Sequence, residues 1–249
     1  YFDTVDHQRL IQYLERRISD RQVLKLIRMW LRCAIVEADG KGGKKVTHPK
    51  AGVPQGGVIS PLLSNVYLHE LDRDFHKPSG PYHFASARLA RFADDLVIMA
   101  RCLGARIVKW VEDKLEKDLG LQVNREKTSI VRLHKEGEEL NFLGLTFRRD
   151  LDLKGRGWRY LNIFPSKKAR TRIREEVKQL TSSSYKKPLT EVVKEVNKKL
   201  HDWAPYYKFG YPRKAFRDLN HYVRCRFRGF LRNRSQRVSR PFREGETLY

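Results

Sequence analysis

The sequence predicts an α+β fold of antiparallel strands and packed helices, followed by a basic helical domain. Three observations carry that prediction. Helical apolar stripes alternate with short strand-like runs as far as about residue 150. Glycine- and proline-rich turns separate these segments. Beyond Lys154 the apolar pattern is helical, and the charge turns strongly positive.

The elements follow in order. Leu10, Ile11 and Leu14, then Val23, Leu24, Ile27 and Leu31, recur at helical spacing and predict one or two helices within residues 7–36. Gly40, Gly42 and Gly43 among lysines read as a turn between two short strands. Ser60-Pro61 supplies an N-cap and a first-turn proline for a helix whose stripe is Leu63, Val66, Tyr67, Leu71 and Phe75. Residues 88–100 read as two short strands folded about Asp94-Asp95. Ile107, Trp110, Val111, Leu115 and Leu119 mark an amphipathic helix stopped by Gly120. Leu121–Asn124 and Leu140–Phe147 are strand-like. After a turn-rich stretch at Lys154–Gly157, three basic helices cover roughly 167–181, 188–203 and 212–233. Pro188 opens the second, with Leu189, Val192, Val193, Val196, Leu200 and Trp203 inward. Pro212 opens the third, with Phe216, Leu219, Val223, Phe227 and Phe230 inward. The domain boundary falls near residue 160.

The 249 residues carry a net charge of +23, which calls for a polyanionic partner. Residues 1–153 hold 26 Lys/Arg against 21 Asp/Glu, and residues 154–249 hold 26 against 8, so the excess is concentrated in the tail. No apolar run approaches the roughly 20 residues that span a bilayer, and no signal peptide is visible. Cys33, Cys102 and Cys225 are scattered, suit a reducing interior and show no zinc-ligand spacing. Charge alone leaves open a ribosomal protein, a membrane-surface module and a nucleic-acid enzyme.

Four local features could carry chemistry. Two adjacent carboxylates, Asp94 and Asp95, between apolar strands favour a divalent cation, or else simply favour a turn. Gly52-Val53-Pro54-Gln55-Gly56-Gly57 runs into a helix start, where glycines admit a ligand to the backbone and free N–H groups favour phosphate. An ordinary Gly/Pro loop reads the same way. Lys127 could offer a cation to a triphosphate, or be a solvated surface lysine. Phe2 could be a core aromatic or a platform under a sugar ring.

The order of the motifs decides among these readings. YFDTVDH, GVPQGGVISPLLSN, RFADDLVI, LGLQVNREKT and NFLGLTF resemble the successive palm motifs of reverse transcriptases. They are most similar to those encoded by group II introns, and also to retron and CRISPR-associated relatives. Trp203-Ala204-Pro205-Tyr206-Tyr207 resembles the W-x-x-Y-Y of the family's thumb, also called the X or maturase domain. Arg234-Ser235-Gln236-Arg237 and a final Gly-x-x-x-Tyr resemble its C-terminal region.

The resemblance implies a right-hand polymerase palm over 1–155 and a three-helix thumb over 160–249. It implies RNA-directed DNA synthesis with two Mg²⁺ ions, on an RNA template with a DNA primer and dNTP. It also implies binding of group II intron RNA as a splicing maturase, in a bacterial or organellar interior. Asp94 and Asp95 are the implied metal ligands. Phe2, Pro54, Gln55, Gly56 and Lys127 are the implied nucleotide contacts, and Leu143-Gly144 the implied primer grip. Lys167, Lys168, Arg170, Arg174, Trp203, Tyr206 and Tyr207 are the implied nucleic-acid contacts.

Two departures stand out. Phe92 replaces the commoner tyrosine of the Y/F-x-D-D box. The family's third metal-binding Asp lies about four residues ahead of Tyr1, and the motif makes neither Asp3 nor Asp6 a substitute. The sequence thus reads as a fragment without fingers, expected to be inactive alone. The rival readings are a non-catalytic RNA-binding maturase or ribonucleoprotein component, and an RNA-templated RNA polymerase; an aromatic at Phe2 favours deoxynucleotides.

Overall fold

The computed structural model describes residues 4–38, 44–47, 49, 51–53, 56–102, 104–152, 157–182, 184–185 and 187–234. The chain forms two compact units, Tyr1–Ser129 and Ile130–Tyr249. Each contains helices and antiparallel strands, which is the α+β class the periodicities predict.

In the N-terminal unit, α1 (His7–Glu15) and α2 (Arg21–Leu31) each begin at an aspartate. Asp6 accepts from the Arg9 amide at 2.9 Å, and Asp20 from the Gln22 amide at 2.7 Å, satisfying amides that the first helical turn leaves free. Strands β1 (Ile35–Ala38) and β2 (Lys44–Thr47) pair antiparallel. Helix α3 (Ser60–Phe75) is the spine. Its Leu63, Tyr67, Leu71 and Phe75 are buried at three- and four-residue spacing, with Val66 partly buried beside them. Leu63, Tyr67 and Leu71 pack with Leu10, Leu14, Leu24, Ile27 and Leu31 of the first two helices. The buried Tyr67 hydroxyl donates to the Leu119 carbonyl at 2.6 Å.

A short α4 (Pro81–Phe84) precedes the antiparallel pair β3 (Arg88–Phe92) and β4 (Asp95–Met99). Helix α5 (Ala105–Glu112) then widens into a π-helical stretch, Asp113–Asp118. Lys114 on that stretch reaches Asp74 of α3 and Asp118. Lys77 also reaches Asp74, at 2.5 Å. Burial raises the Asp74 pKa, but the hydrogen bonds from Lys114 and Lys77 prevail and lower it to about 2.

The C-terminal unit holds a three-stranded antiparallel sheet, β5 (Glu139–Phe142), β6 (Leu145–Leu151) and β7 (Arg159–Pro165), in sequence order. Three helices follow: α6 (Lys167–Leu180), α7 (Leu189–Trp203) and α8 (Arg213–Arg234). Ser166 caps α6 by accepting from the Ala169 amide at 3.2 Å. The core between the helices is Ile173 and Val177, Val192 and Val196, and Leu219, Val223, Phe227 and Phe230. Arg226 closes the far end of α6, donating to the Thr181 carbonyl at 2.8 Å.

Several expectations need correction. Ser60 is the first helical residue of α3, and Ile59 occupies the cap with no side-chain hydrogen bond. Leu121–Asn124 forms no strand. Leu121 is drawn into the core, its amide bonded to Leu115 O, and Asn124 starts a turn. Val23 and Leu189 face outward. The Gly40–Gly43 turn, Lys154–Arg156 and the motif at Ser235–Arg237 lie outside the described residues. Among the described residues no helix is long and apolar enough to cross a membrane.

Candidate functional site

The β3–β4 hairpin presents the paired carboxylates. Phe92 pairs with Asp95, so the turn is Ala93-Asp94, and Asp95 is the first residue of β4. Ala93 is left-handed, φ +53°, which costs an L-residue about 1 kcal/mol. Arg91 holds this turn. Its guanidinium donates to the Ala93 carbonyl at 2.9 Å, to Asn65 Oδ1 at 2.8 Å, and through Nε to Asp72 Oδ1 at 2.9 Å and Oδ2 at 3.1 Å. Asn65 and Asp72 both stand on α3, so the buried helix fixes the arginine and the arginine fixes the tip. No sequence signal marked Arg91, because its role depends on a partner 19 residues away.

Asp94 and Asp95 are both exposed, and neither carboxylate has a hydrogen-bond or ion-pair partner among the described residues. The Phe92 ring beside them is 65% exposed. Two adjacent, unneutralised oxygen donors on a braced tip suit a hard divalent cation. Among the described residues no cluster of three His, Cys, Asp or Glu is assembled. Asp6 is committed to capping α1. Asp3, Phe2, Pro54 and Gln55 lie outside the described residues.

The glycine loop is tied to the start of α1. The Gly52 amide donates to Val5 O at 2.8 Å, His7 Nε2 meets Gly52 O at 2.6 Å, and Val53 is buried. Gly56, φ +83°, is exposed with open space around its α-carbon. Lys127 lies on an exposed turn, where its amide donates to Asn124 Oδ1 at 3.1 Å.

In the C-terminal unit, Phe142 pairs with Leu145, leaving Leu143-Gly144 as a two-residue turn with φ +49° and +77°. Tyr206 and Tyr207 sit against it. Lys167 and Lys168 are exposed on α6, Arg170 is partly buried, and Arg174 lies over the Tyr222 ring at 5.5 Å. The outer face of α8 carries exposed Arg213, Lys214, Arg217, Arg224, Arg228 and Arg232, none ion-paired among the described residues. A shallow groove of about 460 Å³ runs there, lined by Arg213, Phe216, Arg217, Asn220, His221 and Arg224. Composition announced the charge of this tail, but not the helix face that concentrates it.

Residues 1–147 match the family model "Reverse transcriptase (RNA-dependent DNA polymerase)". The chain belongs to the reverse transcriptase family. Residues 170–245 match "Group II intron, maturase-specific domain", which places this reverse transcriptase in the group II intron branch. Protein YkfC of Escherichia coli (strain K12) is 29% identical over 202 residues, covering 68% of this chain and 50% of YkfC. The putative COX1/OXI3 intron 2 protein of Saccharomyces cerevisiae is 25% identical, covering 85% of this chain and 29% of its own length. Group II intron-encoded protein LtrA of Lactococcus lactis subsp. cremoris is 39% identical over 72 residues, 29% of this chain and 11% of LtrA. The reverse transcriptase chain thus spans half or less of these relatives. An apo telomerase structure from Candida tropicalis aligns over 93% of the chain and 43% of its own, with TM-score 0.49 and 15% identity, too partial a likeness to carry an assignment.

Proposed function

We propose that this chain is the palm and thumb portion of an RNA-directed DNA polymerase that also binds group II intron RNA as a maturase. The observation that carries the reading is the braced Ala93-Asp94-Asp95 tip, with two carboxylates that have no partner among the described residues, in the family's motif order. The palm spans residues 1–155 and the basic thumb 160–249.

Asp94 and Asp95 hold Mg²⁺ by this reading, and a bound divalent pair supplies charge neutralisation for phosphoryl transfer from a dNTP to a primer 3′-oxygen. The chain's own part is to position. Arg91 fixes the height of the acids. By motif, the Gly52–Gly57 loop, with Pro54, Gln55 and Gly56, and Phe2 as the sugar gate, are assigned to the incoming nucleotide. Lys127 faces the triphosphate, and Leu143-Gly144 grips the primer end. The template–primer duplex and the intron RNA are held through their phosphates by α6 and α8, including Lys167, Lys168, Arg170 and Arg174. The cation face of α8, without ion pairs among the described residues, supports the RNA-binding part of the reading independently of the acids.

The test is primer extension on an RNA template by the intact protein with Asp94→Asn. Synthesis is expected to fall below detection while filter-binding affinity for RNA stays within about twofold. Undiminished cDNA from the variant would remove Asp94 from the metal site.

A further inference from the structure

The Leu143-Gly144 turn is gripped from outside its own hairpin. The Tyr206 hydroxyl donates to the Leu143 carbonyl at 2.8 Å, across 63 residues of chain. Tyr207 closes on the second turn residue: a methyl group placed on Gly144 would stand 2.7 Å from the Tyr207 hydroxyl oxygen. From the other side, the Ser166 amide donates to the Gly144 carbonyl at 2.8 Å. The two tyrosines are themselves braced. Trp203 packs on Tyr207 with ring centroids 4.5 Å apart, Tyr206 meets Tyr207 edge-on at 4.8 Å, and Phe216 of α8 meets Trp203 at 5.5 Å. Burial pushes the Tyr207 hydroxyl pKa up, in keeping with a ring committed to packing.

The same α7–α8 connection holds the sheet at a second point. The Tyr211 amide donates to Ile163 O of β7 at 3.0 Å, and the Tyr211 ring meets Tyr160 edge-on at 5.0 Å. Gly210, φ +74°, lies so near β7 that a methyl group there would stand 2.5 Å from the Ile163 carbonyl oxygen. A turn with two left-handed residues, one of them leucine, is thus supported by the helical part of its unit.

We propose that Tyr206 and Tyr207 are positioning residues for the Leu143-Gly144 turn, so that the α7–α8 connection sets where a primer 3′ end is held. This rests on the reading of that turn as the primer grip. By this account Tyr207 is a support under the grip, its ring on Trp203 and its hydroxyl on Gly144, and not a stacking platform for a base.

The experiment compares Tyr206→Phe, Tyr207→Phe, Gly144→Ala and the double variant Gly144→Ala/Tyr207→Phe in the full chain. Hydrogen exchange of residues 139–147 reads the coupling whether or not the protein polymerises. Tyr206→Phe is expected to raise exchange there by about two- to tenfold, the worth of one hydrogen bond, with the α6–α8 core unchanged. Gly144→Ala is expected to disrupt the turn, and Tyr207→Phe to recover part of that loss by removing the oxygen in its way, a non-additive cycle. In primer extension by the intact protein, Tyr206→Phe is expected to raise the primer–template KM several-fold. Strict additivity of the cycle, or wild-type exchange in Tyr206→Phe, would overturn the coupling. Raised exchange with an unchanged primer KM would overturn the positioning role while leaving the polymerase assignment intact. If Gly144→Ala does not fold, the Tyr206→Phe arm still decides the matter.

Discussion

Removing the Arg91 side chain should destabilise the N-terminal unit and unfasten the acidic tip together. Arg91 is 13% exposed and Asp72 27%, so the pair is substantially sheltered from water. Arg91→Ala deletes the fork on Asp72, the bond to Asn65 and the bond to Ala93 O, and leaves a sheltered carboxylate without its counterion. Hydrogen bonds to charged groups contribute about 1.5–3 kcal/mol each, but these share one donor and do not add, so about 3 kcal/mol is expected in total. Lysine can serve Asp72 but cannot reach three acceptors in one plane, so Arg91→Lys should cost about 1.5 kcal/mol. With urea slopes of about 1–3 kcal/mol per molar, the alanine variant should lower the unfolding midpoint by roughly 1–3 M, monitored by tryptophan fluorescence. Asp72→Asn is the control: it removes the ion pair yet leaves the bond to Ala93, and should fall between wild type and Arg91→Ala. If Arg91→Lys matched wild type to within about 0.5 kcal/mol, the range of ordinary surface changes, the three-way clasp would be refuted.

Three further outcomes follow from other parts of the molecule. The Asp74 carboxyl, lowered to about 2 by Lys114 and Lys77, contributes stability that is complete above its ordinary value near 4 and is lost as pH falls toward 2. Asp74→Asn should therefore cost about 1–2 kcal/mol at pH 7, allowing for the half-exposed Lys77, and the gap from wild type should close in urea titrations taken down to pH 2. Replacing Arg217, Arg224 and Arg228 by glutamine should weaken RNA binding with little regard to sequence. It should also flatten the dependence of log K on log salt by about 0.7–0.9 for each phosphate no longer neutralised, measured by filter binding. Phe227→Ala, in the core between the three helices, should cost about 3–5 kcal/mol and abolish any cooperative transition of α6–α8 seen by hydrogen exchange.

The helices were legible because their signals are local. Pro188 and Pro212 stand at or just before the starts of α7 and α8, and the stripe from Leu63 to Phe75 lies on the buried side of α3. The tip at Ala93-Asp94 was legible for the same reason, since two apolar runs about an acid pair define a hairpin. What failed were features settled by distant partners. Leu121–Asn124 has the composition of a strand, but Leu121 is held by the core and by Leu115, so the segment pairs with no strand. The π-helical stretch at Asp113–Asp118 carries Lys114 to Asp74, far back along the chain, and no periodicity encodes that. Strand β7 went unread, although Tyr160, Asn162 and Phe164 alternate with Leu161 and Ile163. Of the candidate site, the acids and the Leu143-Gly144 turn could be found by motif; Arg91, Asn65 and Asp72, and the hold of Tyr206 and Tyr207 on their turn, could not.

The two hairpin tips share a construction. At each, an L-residue sits in the left-handed region, Ala93 in one and Leu143 in the other, and a side chain grasps that residue's own carbonyl oxygen. Each tip is therefore a loaded spring with a catch, Arg91 for the acids and Tyr206 for the leucine-glycine pair. Releasing the carbonyl alone lets the backbone relax by about a kilocalorie per mole before the hydrophobic core is disturbed. Small errors in the surroundings, such as a shifted Asn65 or a missing Tyr206 hydroxyl, should thus surface first as a misplaced tip in an otherwise folded protein. Such a chain would keep its melting temperature nearly unchanged while its acids or its leucine-glycine turn stood in the wrong place, a failure that stability screens alone would pass over.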